Sequence, residues 1–105
     1  MAKALYTPQA RQDLKSAAIW IARREMRPSV AATVVRQLKA ACDQHARNFA
    51  KGLMTGEARP DLGTAYRIFS HSRWVIIFRP ISAGIEVMRI VDGACDFNRI
   101  FTVNE

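Results

Sequence analysis

Three arginines stand inside runs that otherwise read as apolar strands: Arg67 in "AYRIF", Arg79 in "WVIIFRP" and Arg89 in "GIEVMRIV". Charged residues are depleted from strands and seldom fully buried, so one guanidinium in each of three consecutive strands calls for a chemical reason. A cationic cluster could hold the scissile phosphate while RNA is cleaved by its own 2'-hydroxyl. That reaction also needs a base and an acid, usually His, Glu, Lys or Tyr, and arginine, which stays protonated, supplies neither. His71 falls in a polar turn and His45 borders a helical core stripe, so they read as structural residues and not as a paired-histidine site. The competing reading lays the arginine stems on apolar surface, with the tips in water or paired with Glu86, Asp61 or Asp92. Strict alternation groups Arg89 with Ile85, Val87 and Val91, Arg79 with Val75 and Ile77, and Arg67 with Ala65 and Phe69. A ligand-facing cluster requires all three on the uncovered face of the sheet, and alternation leaves that register open.

The remaining reactive side chains lead nowhere chemical. Cys42 and Cys95 are too few for a disulfide framework, and neither they nor the histidines form a pair at metal-ligand spacing. Cys95 lies beside Asp92 and Asp96, whose negative charge opposes the thiolate a nucleophile needs. The expectation is a chain with no catalytic residue, no metal and no cofactor.

The elements that position these residues follow from periodicity. Thr7-Pro8 is a helix opening, a hydroxyl cap followed by proline at the first helical position. Ala10, Leu14, Ala17, Ala18 and Ile21 then recur at spacings of three and four, predicting a helix to about Glu25, with Arg23 and Arg24 complementing its dipole. Pro28 interrupts, and Val34, Leu38, Ala41, Cys42, His45 and Phe49 predict a second helix to about Ala50, antiparallel to the first. "KGLMTGEARPDLG" ends the helical part. Beyond it, residues 65–69, 74–79 and 85–91 read as a strand meander, and "KALY" near the start offers one more strand. The predicted fold is α+β: an N-terminal two-helix hairpin on one face of a small, mainly antiparallel three- to four-stranded sheet, in one domain spanning 1–105. No apolar run reaches the roughly 18 residues of a membrane span, and the N-terminal segment lacks a signal-peptide core. Cytoplasmic localisation is therefore expected.

Charge divides unevenly along the chain. Residues 1–59 carry 11 Lys/Arg against 4 Asp/Glu, whereas residues 60–105 carry 5 of each. The excess favours polyanions or acidic partners. On the first helix, Ile19 and Trp20 flank the core stripe and widen its apolar arc beyond what one sheet needs, which marks a partner surface or a more deeply sunk helix. Trp74, inside a strand, reads as packing and not as a stacking platform for bases.

Several motifs in order carry a family resemblance over nearly the whole length. "YTPQARQDLKSAAIWIA" contains an Ala-x-x-Asp-Leu pattern at Ala10, Asp13 and Leu14. Gly56, Arg59, Pro60, Asp61 and Leu62 follow in the linker, and Arg67, Arg79, Pro80, Gly84, Ile85, Glu86, Arg89, Gly93 and Asp96 in the closing strands. The chain resembles a ParE-type toxin of the ParE/RelE toxin-antitoxin superfamily. The resemblance implies a RelE/ParE-like fold and a bacterial cytoplasmic toxin in a hetero-oligomer with a cognate ParD-like antitoxin, whose C-terminal segment wraps around it. ParE-type members inhibit DNA gyrase by binding, with no reaction of their own; RelE-type relatives cut messenger RNA in the ribosome, usually with a C-terminal Tyr, His or Lys. No Tyr, His or Lys follows His71, which points to the gyrase branch, with the ribosome-dependent endoribonuclease as the alternative. The family commonly carries His and Arg near the positions of Asp92 and Cys95, a departure compatible with an inactive binding relative. The site residues expected on this reading are Ile19, Trp20, Arg23 and Arg24 for the antitoxin, and Arg67, Arg79, Arg89, Phe97 and Arg99 for the target. Sequence-specific nucleic-acid binding and membrane association are not expected.

Overall fold

The computed structural model describes residues 2–93. Phe97 and Arg99, proposed for the target surface, lie outside the described residues, as do Cys95 and Asp96. The elements run β1 (Lys3–Tyr6), α1 (Pro8–Glu25), α2 (Pro28–Ala50), β2 (Glu57–Ala58), β3 (Arg67–His71), β4 (Trp74–Ile81) and β5 (Gly84–Asp92).

Both helices begin where the sequence sets them. Thr7 Oγ1 accepts the Ala10 N–H at 3.0 Å and donates to the Met88 carbonyl at 2.8 Å, so one hydroxyl caps α1 and ties it to β5. Met26, in the left-handed conformation at φ 56°, ends α1; Arg27 is extended and Pro28 opens α2, giving the two-residue turn of the hairpin.

The sheet has five strands in the order β1-β5-β4-β3-β2, one more than the three to four expected. The extra strand is the two-residue β2, drawn from the linker and paired antiparallel with β3; two residues carry no period, which is why the sequence does not announce it. β1 runs parallel to β5, with Lys3–Tyr6 beside Gly84–Val87, and the other pairs are antiparallel. Gly84 stands at φ +144°, and a Cβ there would meet the Lys3 carbonyl at 2.2 Å, so only glycine lets β1 approach this closely.

The helices cover one face. Ala10, Leu14, Ala17 and Ile21 of α1 and Ala31, Leu38, Cys42 and Ala46 of α2 bury against Trp74, Ile76 and Phe78 of β4 and Ile85, Val87 and Ile90 of β5. Cys42 is fully buried beside Tyr6, and desolvation pushes its thiol up to about 11, consistent with an inert packing residue. The opposite face carries a smaller cluster, Val75, Ile77 and Val91 under Leu62 and the half-buried Tyr66, so the linker folds back as a partial second cover.

Alternation fails at one place. Ile77 pairs with Arg89 but Phe78 with Val87, so β5 carries a bulge at Met88. One extra residue moves everything after it to the other face. Ile90 thus joins Ile85 and Val87 under the helices while Val91 turns away, which corrects the grouping of Arg89 and Val91 with Ile85 and Val87.

Candidate partner-binding site

The exposed flank of α1 is built around Trp20. Its core stripe faces the sheet, which sends Trp20 over the β4–β5 end, where its ring meets Trp74 edge-to-face at 6.1 Å and 89°. Trp74 is 8% exposed, Trp20 37% and Ile19 51%, so the pair consists of a core ring and an outward ring resting on it. The Arg73 guanidinium sits 4.2 Å from the Trp20 centroid and that of Arg24 at 5.3 Å. Arg73 also pairs with Asp92, which fixes its position over the indole. The ring is thus held from below and beside while one face of the flank stays open.

Two depressions meet at this tryptophan. One, of about 410 Å³, lies between α1 and the end of β5 and is lined by Asp13, Ser16, Ala17, Trp74 and Ile90 as well as Trp20. The other, wider at about 690 Å³, is formed on α1 by Ser16, Ile19, Trp20, Arg23 and Arg24. The structure therefore brings Ile19, Trp20, Arg23 and Arg24 together on one surface.

It does not bring the strand arginines together. Arg67 lies on the helix side with Phe69; its Nε and Nη2 donate to the carbonyls of Thr55 and Gly56 at 3.0 and 2.9 Å, and its guanidinium lies 5.9 Å from the Phe49 ring. Arg79 follows Val75 and Ile77 on the opposite face and pairs there with Glu86 at 2.7 Å. Arg89 reaches α1 past the edge of β5, which β1 accompanies only as far as Val87. There Asp13 accepts from Arg89 Nε at 2.8 Å, from its Nη2 at 3.1 Å, and from the Ile90 backbone N–H at 2.9 Å. Each of the three is tied to an acceptor within the fold. Of the ion-pair partners expected, Glu86 does meet Arg79, while Asp61 meets Arg59 and Asp92 meets Arg73.

The histidines are likewise accounted for by packing. His45 stacks on Phe69 at 3.9 Å between centroids and shares a 2.6 Å hydrogen bond between Nδ1 and Thr55 Oγ1, and burial lowers its pKa below the ordinary 6.5. His71 closes β3 opposite Trp74.

Sequence reasoning missed Arg73 and Asp13. Arg73 sits in the turn between β3 and β4, where a cation reads as solvated. Asp13 had a signal, its place between core Ala10 and Leu14, but its partner lies 76 residues away.

Fold and site define a small α+β protein, a helical hairpin on a mixed sheet, with an aromatic and cationic surface exposed on the flank of α1. The family model for the ParE toxin of type II toxin-antitoxin system, parDE, matches residues 4–97. The chain belongs to the ParE toxin family. Among solved structures, the chromosomal ParDE TA system from P. aeruginosa contains a chain that superposes with a TM-score of 0.68 at 18% identity, covering 88% of this chain and 96% of that one. That likeness is one of fold. No curated protein matches. Among the described residues no helix is long and apolar enough to cross a membrane.

Proposed function

We propose that this ParE-family protein acts by binding and not by catalysis: it inhibits DNA gyrase in the cytoplasm and is neutralised by an acidic, ParD-like antitoxin seated on the Trp20 flank of α1. The observation that carries the antitoxin site is the exposed Trp20 ring, braced by Trp74 and Arg73 and adjoined by Ile19, Arg23 and Arg24. Exposed aromatics pre-positioned beside arginines have the composition of interface anchors, and their positive charge suits an acidic segment. The gyrase assignment rests on family membership. The commitment of Arg67, Arg79 and Arg89 to internal acceptors supports a docking or scaffold role for them over a phosphate-cleaving one.

The test is a purified supercoiling assay run beside a translating-ribosome assay. Inhibited gyrase with intact messenger is the expected result. Unimpeded gyrase with cleaved messenger would assign the ribonuclease reading, and inertness in both would assign an inactive binding relative. The antitoxin arm is a pull-down with the product of any small reading frame adjoining this one.

A further inference from the structure

The cations among the described residues divide into those tied to an acceptor within the fold and those exposed without a carboxylate partner; the second group includes Lys3, Arg23, Arg24 and Arg27 as well as a set along the helical hairpin. Among the described residues, Arg59, Arg73, Arg79 and Arg89 all pair with carboxylates, and Arg67 with carbonyls. On the helical hairpin, Arg11 and Lys15 of α1 and Arg36, Lys39 and Arg47 of α2, with Lys51 just beyond it, are exposed and pair with no carboxylate among the described residues. Arg36 and Arg47 donate only to Thr33 and Gln44. Arg36, Lys39 and Arg47 recur at three and eight, so they share one stripe about 17 Å long at 1.5 Å per residue, which Lys51 extends past the helix end. Arg11 and Lys15 border the same seam, around Leu14, Ala18, Val35 and Lys39. The single carboxylate on the stripe is Asp43, exposed and without an ion pair among the described residues. Lys15 and Trp20 project about 140° apart around α1, so this stripe is separate from the Trp20 flank.

We infer that the hairpin stripe binds the phosphodiester backbone of a nucleic-acid duplex without reading its sequence. Cations without carboxylate partners, recurring along one helix, match a rod of regularly spaced phosphates, whose condensed counterions are released on contact. Three of the six are arginines, which contact phosphate through two donors at once. The stripe offers no aromatic for stacking unpaired bases, which favours a duplex over a single strand. The inference stands on charge placement alone and is independent of which enzyme the toxin inhibits.

The experiment is fluorescence anisotropy of the purified full chain with labelled 20-bp duplexes, two unrelated DNA sequences and one RNA, across a salt series. Both DNA sequences should bind within about threefold of each other, with a slope of log affinity against log salt of about −5 for six cations. The DNA and RNA arms identify which duplex is preferred. Lys15→Gln, Arg36→Gln and Lys39→Gln together should flatten the slope by about 2 to 3 and weaken binding at least tenfold at low salt. Arg59→Gln, which removes a charge paired with Asp61, should change neither. A slope shallower than about −2, an equal effect of Arg59→Gln, tighter binding of a single strand, or tighter binding of polyglutamate of matched charge would overturn the inference, the last in favour of an acidic protein partner.

Discussion

Asp13→Ala should be the most informative stability variant, because one carboxylate holds three donors where α1 meets β5. Its partners are the Arg89 guanidinium, through two bonds, and the Ile90 N–H. The side chains are 15% and 22% exposed, so the pair is largely withdrawn from water. Truncation removes two bonds from the guanidinium and one from a backbone donor. Hydrogen bonds to charged groups contribute roughly 1.5 to 3 kcal/mol, and breaking a buried pair by removing one partner costs about 3 to 5. Partial exposure sets the expectation at the lower end, about 3 kcal/mol, or a Tm drop of about 12 to 24 °C for a chain this size. Arg89→Met keeps the apolar stem and removes the charge that needs a partner, so it should cost about 2 kcal/mol, and the double variant about 3 kcal/mol where additivity predicts 5. Urea unfolding followed by tryptophan fluorescence measures all three. A loss below about 1 kcal/mol for Asp13→Ala, or additive single effects, would refute the view that this carboxylate joins helix to strand.

Trp20→Ala should weaken antitoxin binding by ~2 kcal/mol, about thirtyfold, in a titration calorimeter while leaving the fold intact, since the ring is an outward anchor; an unchanged Kd would remove it from that interface. His45 is held below its ordinary value of 6.5 by burial, so the unfolded chain binds the proton first. Its contribution is therefore full above about pH 6.5 and is lost as pH falls below that towards the folded value. The urea midpoint should decline between pH 7.5 and 5.5, and His45→Gln should flatten the decline; equal slopes would show that other groups govern it. Gly84→Ala forces a Cβ into the Lys3 backbone and should cost more than about 1 kcal/mol, with faster amide exchange at Lys3–Tyr6 as the local signature; wild-type exchange there would refute the close-approach account.

Much of the fold was legible because it rests on local rules. Thr7-Pro8 and Pro28 set both helix starts, apolar spacing picked out the buried faces of α1 and α2, and the alternating runs located β3, β4 and β5 to within a few residues. Trp20 and Ile19 were legible as surplus apolar surface for the same reason. What local rules omit is pairing between distant residues.

The amino-acid sequence by itself determined the class of the fold, the position of the helical hairpin and the concentration of positive charge in it, since periodicity, capping and composition act within a few residues of the chain. Only the tertiary structure decided what the arginines do. The bulge at Met88 reversed the faces beyond it, Asp13 claimed Arg89 across 76 residues, and Arg73 from a turn came to rest on Trp20. A guanidinium on a long stem reaches whichever acceptor the packed fold leaves nearest, and that proximity is a property of the assembled layers.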